Sequence, residues 1–178
     1  EKSKEYLNKA LEIIDKDINK TELASIYLTI SDVYKNIGDL DKVLEYSQKV
    51  YDIKKNDEDE YMMNSLFKII ETYISNDDYD MAKRYCKIAL ASAIKNKSKF
   101  NEFRILKYYS DMHKALNENI FAIEYLQKCI SIITELNDKK ILADLYISLG
   151  ELYSYSSKDK ELEYYQKGVY IYKNLQII

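Results

Sequence analysis

The stretch Tyr27-x-x-Ile30-x-x-x-Tyr34-x-x-x-Gly38-Asp39-Leu40-x-x-Val43-Leu44-Glu45-Tyr46-x-x-x-Val50 decides how this chain is read. Before the glycine, Leu23, Ile26, Tyr27, Ile30, Val33, Tyr34 and Ile37 recur three and four residues apart, the spacing of one helix face. Gly38-Asp39 interrupts that pattern, and Leu40 starts a second. Its ending returns along the chain. Glu5-Tyr6-Leu7-Asn8-Lys9-Ala10, Glu45 to Val50, Arg84 to Ala89, Glu124 to Cys129 and Glu163 to Gly168 align, with steps of 40, 39, 40 and 39 residues. Each copy carries a tyrosine and ends on a small or moderate residue, Ala10, Val50, Ala89, Cys129 or Gly168. A small side chain at one fixed helical site lets a neighbouring helix approach closely.

The repeats predict about nine helices, over 2–17, 21–37, 40–55, 59–75, 78–95, 100–116, 119–136, 140–155 and 159–175. Their connections of two to five residues force consecutive helices antiparallel. Asn76-Asp77-Asp78, Asn117-Glu118-Asn119 and Ser156-Ser157-Lys158 form the later intra-repeat turns, where Asx and Ser side chains bond local backbone. The fourth copy is a residue short between Tyr153 and Gly168, so Glu161 falls where a small residue belongs and irregular packing is expected there.

Composition agrees. Average usage would place roughly nine prolines in 178 residues; there are none, with only three glycines and nineteen tyrosines. That excludes turn-rich β folds, collagen-like segments and flexible linkers, and favours long helices. Apolar content of 47% argues against disorder. A net charge of −3 offers no whole-chain basic excess for a nucleic-acid backbone, so no direct nucleic-acid binding is expected. No apolar run approaches the ~20 residues of a membrane span, so no membrane partner is expected. Cys86 and Cys129 stand apart and read as reduced, buried side chains of a cytoplasmic protein.

No phosphate-binding glycine loop, Gly-x-Ser-x-Gly, His-Glu-x-x-His or EF-hand loop is present. We therefore expect no catalytic residue, metal or cofactor. The single histidine, His113, occupies the column of Tyr34, Tyr73 and Tyr153, and is expected to pack half-buried with one ring nitrogen bonded. Acidic runs such as Asp57-Glu58-Asp59-Glu60 fall at helix starts, where the dipole favours carboxylates.

The Gly-Asp turn and Leu-Glu-Tyr run, with Leu66, Ile69, Tyr73, Tyr79, Ala82, Tyr85 and Ala89 in the second copy and Tyr146, Leu149-Gly150, Tyr153, Tyr164 and Gly168 in the fourth, resemble a tetratricopeptide repeat. The period of 39–40 exceeds the usual 34, and the proline that commonly ends the second helix is absent. Repeats of this length resemble those in the regulatory regions of Gram-positive peptide receptors of the Rap and PlcR type, and in kinesin light chain. The resemblance implies an all-α, right-handed superhelix over residues 1–178: a half-repeat at 1–18, then full repeats at 21–55, 59–95, 100–136 and 140–175.

It also implies a concave groove lined by each first helix. The corresponding positions are Ser25, Leu28, Asp32, Lys35 and Asn36; Asn64, Phe67, Glu71 and Ser75; Arg104, Lys107, Tyr108, Asp111 and Lys114; Asp144, Ile147, Ser148, Glu151 and Tyr155. Asp32, Glu71, Asp111 and Glu151 form an acidic column, either a ladder for a peptide's basic groups and amides or simply wet polar sites. Arg104, Lys107 and Lys114 form a basic spot that either meets a peptide carboxylate or pairs with Asp111. The implied function is a noncatalytic scaffold for a peptide or protein ligand, the C-terminal sensor region of a bacterial, cytoplasmic transcriptional regulator. The first residue is not methionine and lies in a half-repeat, so a preceding segment is expected. The alternative is a self-associating module, dimerising through the apolar end Tyr170 to Ile178.

Overall fold

A computed structural model describes residues 18–175. The half-repeat at 1–18 and the last three residues of the apolar end lie outside this range, save Ile18. Eight helices follow in order: α1 Lys20–Ile37, α2 Leu40–Lys54, α3 Glu60–Ser75, α4 Tyr79–Lys95, α5 Lys99–Ala115, α6 Asn119–Leu136, α7 Lys139–Tyr153 and α8 Lys158–Asn174. All eight begin and end within two residues of the expected bounds, and they pack sequentially as antiparallel pairs. Two compact units divide between Ala89 and Leu90, inside α4.

The turns explain the sharp helix ends. In Gly38, φ is +81°; its N–H donates to Lys35 O at 3.1 Å, and Asp39 N–H donates to Tyr34 O at 3.0 Å. This left-handed cap satisfies carbonyls that α1 leaves open. Asp77, Lys97, Asn117 and Asn137 repeat it at φ of 57°, 53°, 59° and 56°, without a glycine. The short fourth turn does not. There α7 stops at Tyr153, and Ser156 and Ser157 N–H both donate to the Tyr153 carbonyl. Asp39, Asp78 and Ser157 then cap the following helix through their side chains.

In the first unit the core is built from Ile30, Tyr34, Val43 and Tyr46, together with Leu66, Ile69, Ile70, Ala82 and Cys86, all buried. In the second it comprises Phe103, Leu106, Ala122, Leu126, Cys129, Ile132, Ile133, Leu145, Leu149 and Leu152. The small-residue column Val50, Ala89, Cys129 and Gly168 is buried throughout.

The two tyrosine columns meet. Tyr34 stacks on Tyr46 at 5.7 Å between centroids, Tyr73 on Tyr85 at 5.7 Å, His113 on Tyr125 at 5.4 Å and Tyr153 on Tyr164 at 5.5 Å. One aromatic clasp thus joins the two helices of each of the four described repeats. Each pair contributes on the order of 1 kcal/mol beyond its buried area. Lys49, Lys128 and Lys167 sit over the outer rings of three clasps, 4.5 to 5.1 Å from the centroids.

Glycines adjust the fourth repeat. A Cβ on Gly150 would lie 2.8 Å from the Tyr165 ring; one on Gly168 would lie 2.8 Å from Ile147 Cγ1 and 3.0 Å from Ala143 O. The close helix approach expected at Gly168 is therefore present.

Candidate functional site

Each first helix buries one stripe and exposes another. In the first unit this stripe carries exposed Asp32, Lys35 and Asn36 on α1 and half-buried Glu71 on α3. Lys35 Nζ donates to Glu71 Oε2 at 2.7 Å, and Lys68 Nζ donates to Asp32 Oδ1, so two ion pairs of opposite polarity tie α1 to α3. In the second unit Lys114 Nζ donates to Glu151 Oε2 at 2.8 Å between α5 and α7, while Lys107 pairs with Asp111 one turn along α5.

Every carboxylate of the acidic column therefore faces a lysine. Within each unit these positions carry charges of both signs rather than bare carboxylates. The expected basic spot is divided: Lys107 goes to Asp111, Lys114 to Glu151, and Arg104 stands half-buried. Partly exposed pairs of this kind contribute about 0–1 kcal/mol each, so they set the face's charge pattern more than its stability. A charged ligand group would exchange partners with them.

The apolar groove candidates differ in burial. Phe67 is only 3% exposed. Its neighbours four before and three after, Met63 and Ile70, are also buried, so the helical period carries Phe67 into the core. Ile147 follows buried Ala143 by four residues and lies against Gly168 of α8. Tyr108 is half-buried. Tyr155 is 94% exposed, but in the turn after α7 rather than on a helix face, because the shortened fourth repeat ends α7 early.

His113 is largely buried between the Tyr125 and Phe121 rings, with Nδ1 2.5 Å from Glu118 Oε2. This is the packing role expected of it. Glu118 stands where Asp39, Asp78 and Ser157 cap their helices; it makes no cap and holds the imidazole instead.

One polar cluster escaped sequence reasoning. Lys54, 4% exposed, occupies the place that Ala93 and Ile133 fill in the next two repeats. Its Nζ lies 2.9 Å from both Asp57 Oδ2 and Asp59 Oδ2 and donates to Thr21 Oγ1 at 3.0 Å. The Tyr61 ring is 5.5 Å away. Hydrogen bonds to Asp59 and Asp57 raise its pKa. The acidic run 57–60 was legible as a helix start, and Asp59 does cap α3, but its second task needed a lysine at an apolar position. Burial pushes the Cys86 and Cys129 thiols up to about 12. Among the described residues, no three His, Cys, Asp or Glu side chains converge as a metal site, and no helix is long and apolar enough to cross a membrane.

Residues 24–57 match the family model of the tetratricopeptide repeat. No curated protein sequence matches the chain. Among solved structures, the fold is similar to BtubC (BKLC) from P. vanneervenii, with a TM-score of 0.81 and 16% identity over 97% of this chain and 71% of that one. It is also similar to aspartyl phosphate phosphatase F from Bacillus subtilis, at 0.80 and 19% over 89% of this chain, and to the apo form of RapI, at 0.80 and 16% over 95%. The chain spans 42% and 61% of those two proteins. At such identities the likeness is one of fold.

Proposed function

Given a tetratricopeptide-type array as its frame, we propose that this chain is a noncatalytic scaffold that binds a peptide or protein segment along the exposed stripes of its first helices. The carrying observation is that in each unit the first helices hold partly exposed lysine–carboxylate pairs beside the residues they bury. Such pairs favour a ligand carrying charges of both signs. The candidate contacts are Asp32, Asn36 and Glu71 in the first unit, and Arg104, Lys107, Tyr108, Asp111, Glu151 and Tyr155 in the second. In the wider reading this is the sensor region of a longer bacterial, cytoplasmic regulator. The fold likeness to longer proteins supports that reading, as do two buried free thiols suited to a reducing compartment.

The test is selection from a displayed random peptide library, followed by calorimetric titration of synthetic hits. Saturable binding with Kd on the order of 1–100 μM is expected, weakened at least about fivefold in a Glu71→Ala, Asp111→Ala variant. Absence of any enriched peptide would remove the scaffold reading. Enriched peptides that bind the variant unchanged would remove the charged stripe from it.

A further inference from the structure

On α8, Asp159, Leu162, Glu163, Gln166, Val169, Tyr170 and Lys173 fall on one stripe at helical spacing, and all seven are exposed. Leu162 is 58% exposed, Val169 38% and Tyr170 69%. The repeats supply an internal control. Leu162, Gln166 and Val169 correspond to Leu44, Gln48 and Tyr51 of α2. There another helix covers the site: Tyr85 of α4 donates its hydroxyl to Gln48 Oε1 at 3.0 Å and meets the Tyr51 ring edge-on at 6.4 Å. On α6 the corresponding Ile123 and Ile130 pack against the core. The same positions on α8 have no such cover among the described residues.

We propose that a second copy of this chain covers the stripe, two α8 helices pairing antiparallel about a two-fold axis at Gln166. Two pairs of residues are symmetric about that residue in the required sense, while Glu163, held by Lys167, falls opposite Val169. Leu162 and Tyr170 lie four before and four after, so each aliphatic side chain meets a partner ring. Asp159 and Lys173 lie seven before and seven after, so each carboxylate meets a partner ammonium. Neither Asp159 nor Lys173 has an ion-pair partner among the described residues, unlike Lys158, Glu163 and Lys167 on the same helix. The acidic first turn and basic last turn of α8 complement each other in this orientation. A parallel pairing would instead place like charges together. Gln166 against its own copy supplies one central polar contact that fixes register, as buried amides do in paired helices. The surface uses none of the first-helix positions assigned to ligand binding, so the two readings stand or fall separately.

Sedimentation of the whole 178-residue chain from about 1 to about 300 μM tests this. A monomer–dimer equilibrium is expected. Leu162→Glu and Tyr170→Glu should each weaken it about tenfold or more, with the far-ultraviolet helical signal retained. Asp159→Lys should weaken it, and adding Lys173→Asp should restore it. Gln166→Cys should yield a disulfide-linked dimer on mild oxidation. A monomer throughout the range would overturn the proposal. So would a dimer indifferent to both glutamate variants, or a double reversal no tighter than Asp159→Lys alone.

Discussion

Lys54 Nζ lies 2.9 Å from Asp59 Oδ2, and Asp59 Oδ1 accepts the Met62 N–H at 3.1 Å, so one carboxylate both neutralises a buried ammonium and caps α3. Burial alone would raise the Asp59 pKa, but hydrogen bonds from Lys54 and the Met62 N–H outweigh it and hold the group below its ordinary range. Its stabilising contribution is complete above the ordinary aspartate value of about 3.9 and is lost as pH falls through the lower folded value. Lys54 is shifted up, so its contribution is complete below the ordinary lysine value of about 10.4 and is lost as pH rises through the higher folded value. Denaturant midpoints measured from acid to alkaline pH should fall at both ends. Asp59→Asn should lower the neutral plateau and flatten the acid limb; an unchanged acid limb would deny Asp59 this role.

Gly168→Ala should destabilise despite alanine's helix preference. The gain of about 1 kcal/mol in propensity is opposed by overpacking of about 1–3 kcal/mol. Part of that clash is with the Ala143 carbonyl, which cannot rotate away. A net loss of up to about 2 kcal/mol in urea unfolding is expected. Adding Ile147→Ala should not recover it fully.

The left-handed caps predict opposite signs at two exposed turns. Gly38→Ala should cost about 1 kcal/mol, because φ of +81° strains any side chain even though a Cβ there has open space. Lys97 already bears that strain at φ of 53°. Lys97→Gly should therefore stabilise by about 0.5–1 kcal/mol. Thermal or urea unfolding of both variants checks the pair.

Cys86 and Cys129 should be inert in the folded protein. Both are fully buried, with thiols pushed up to about 12, so thiolate is scarce near pH 8. An aromatic disulfide reagent should titrate both promptly in denaturant and almost neither under native conditions. Rapid native reaction would contradict this burial.

Much of the fold was legible because helix-forming information is local. The three- and four-residue spacing of apolar side chains, Gly38-Asp39 and the recurring Tyr columns fixed where each helix runs and which positions are small. The candidate site was less legible. Membership of a stripe says nothing about which way a borderline residue turns, so the sequence does not separate Phe67, which goes into the core, from Ile147, which stays half-buried against Gly168. A carboxylate column is visible in sequence; its lysine partners, 36 or 37 residues away for Asp32, Glu71 and Glu151, are not. Lys54 shows the same limit, since its charge is tolerable at an apolar position only once Asp57, Asp59 and Thr21 converge on it.

By itself the sequence determined the helices, their antiparallel order and the repeat, since each follows from backbone preferences and apolar spacing within about forty residues. Tertiary structure alone decided that the two tyrosine columns stack into one clasp per repeat, that Gly168 admits Ile147, and that every member of the acidic column meets a lysine. Those outcomes depend on distances between side chains brought together by packing, and a few ångströms of approach separate a bare charge from a neutral pair.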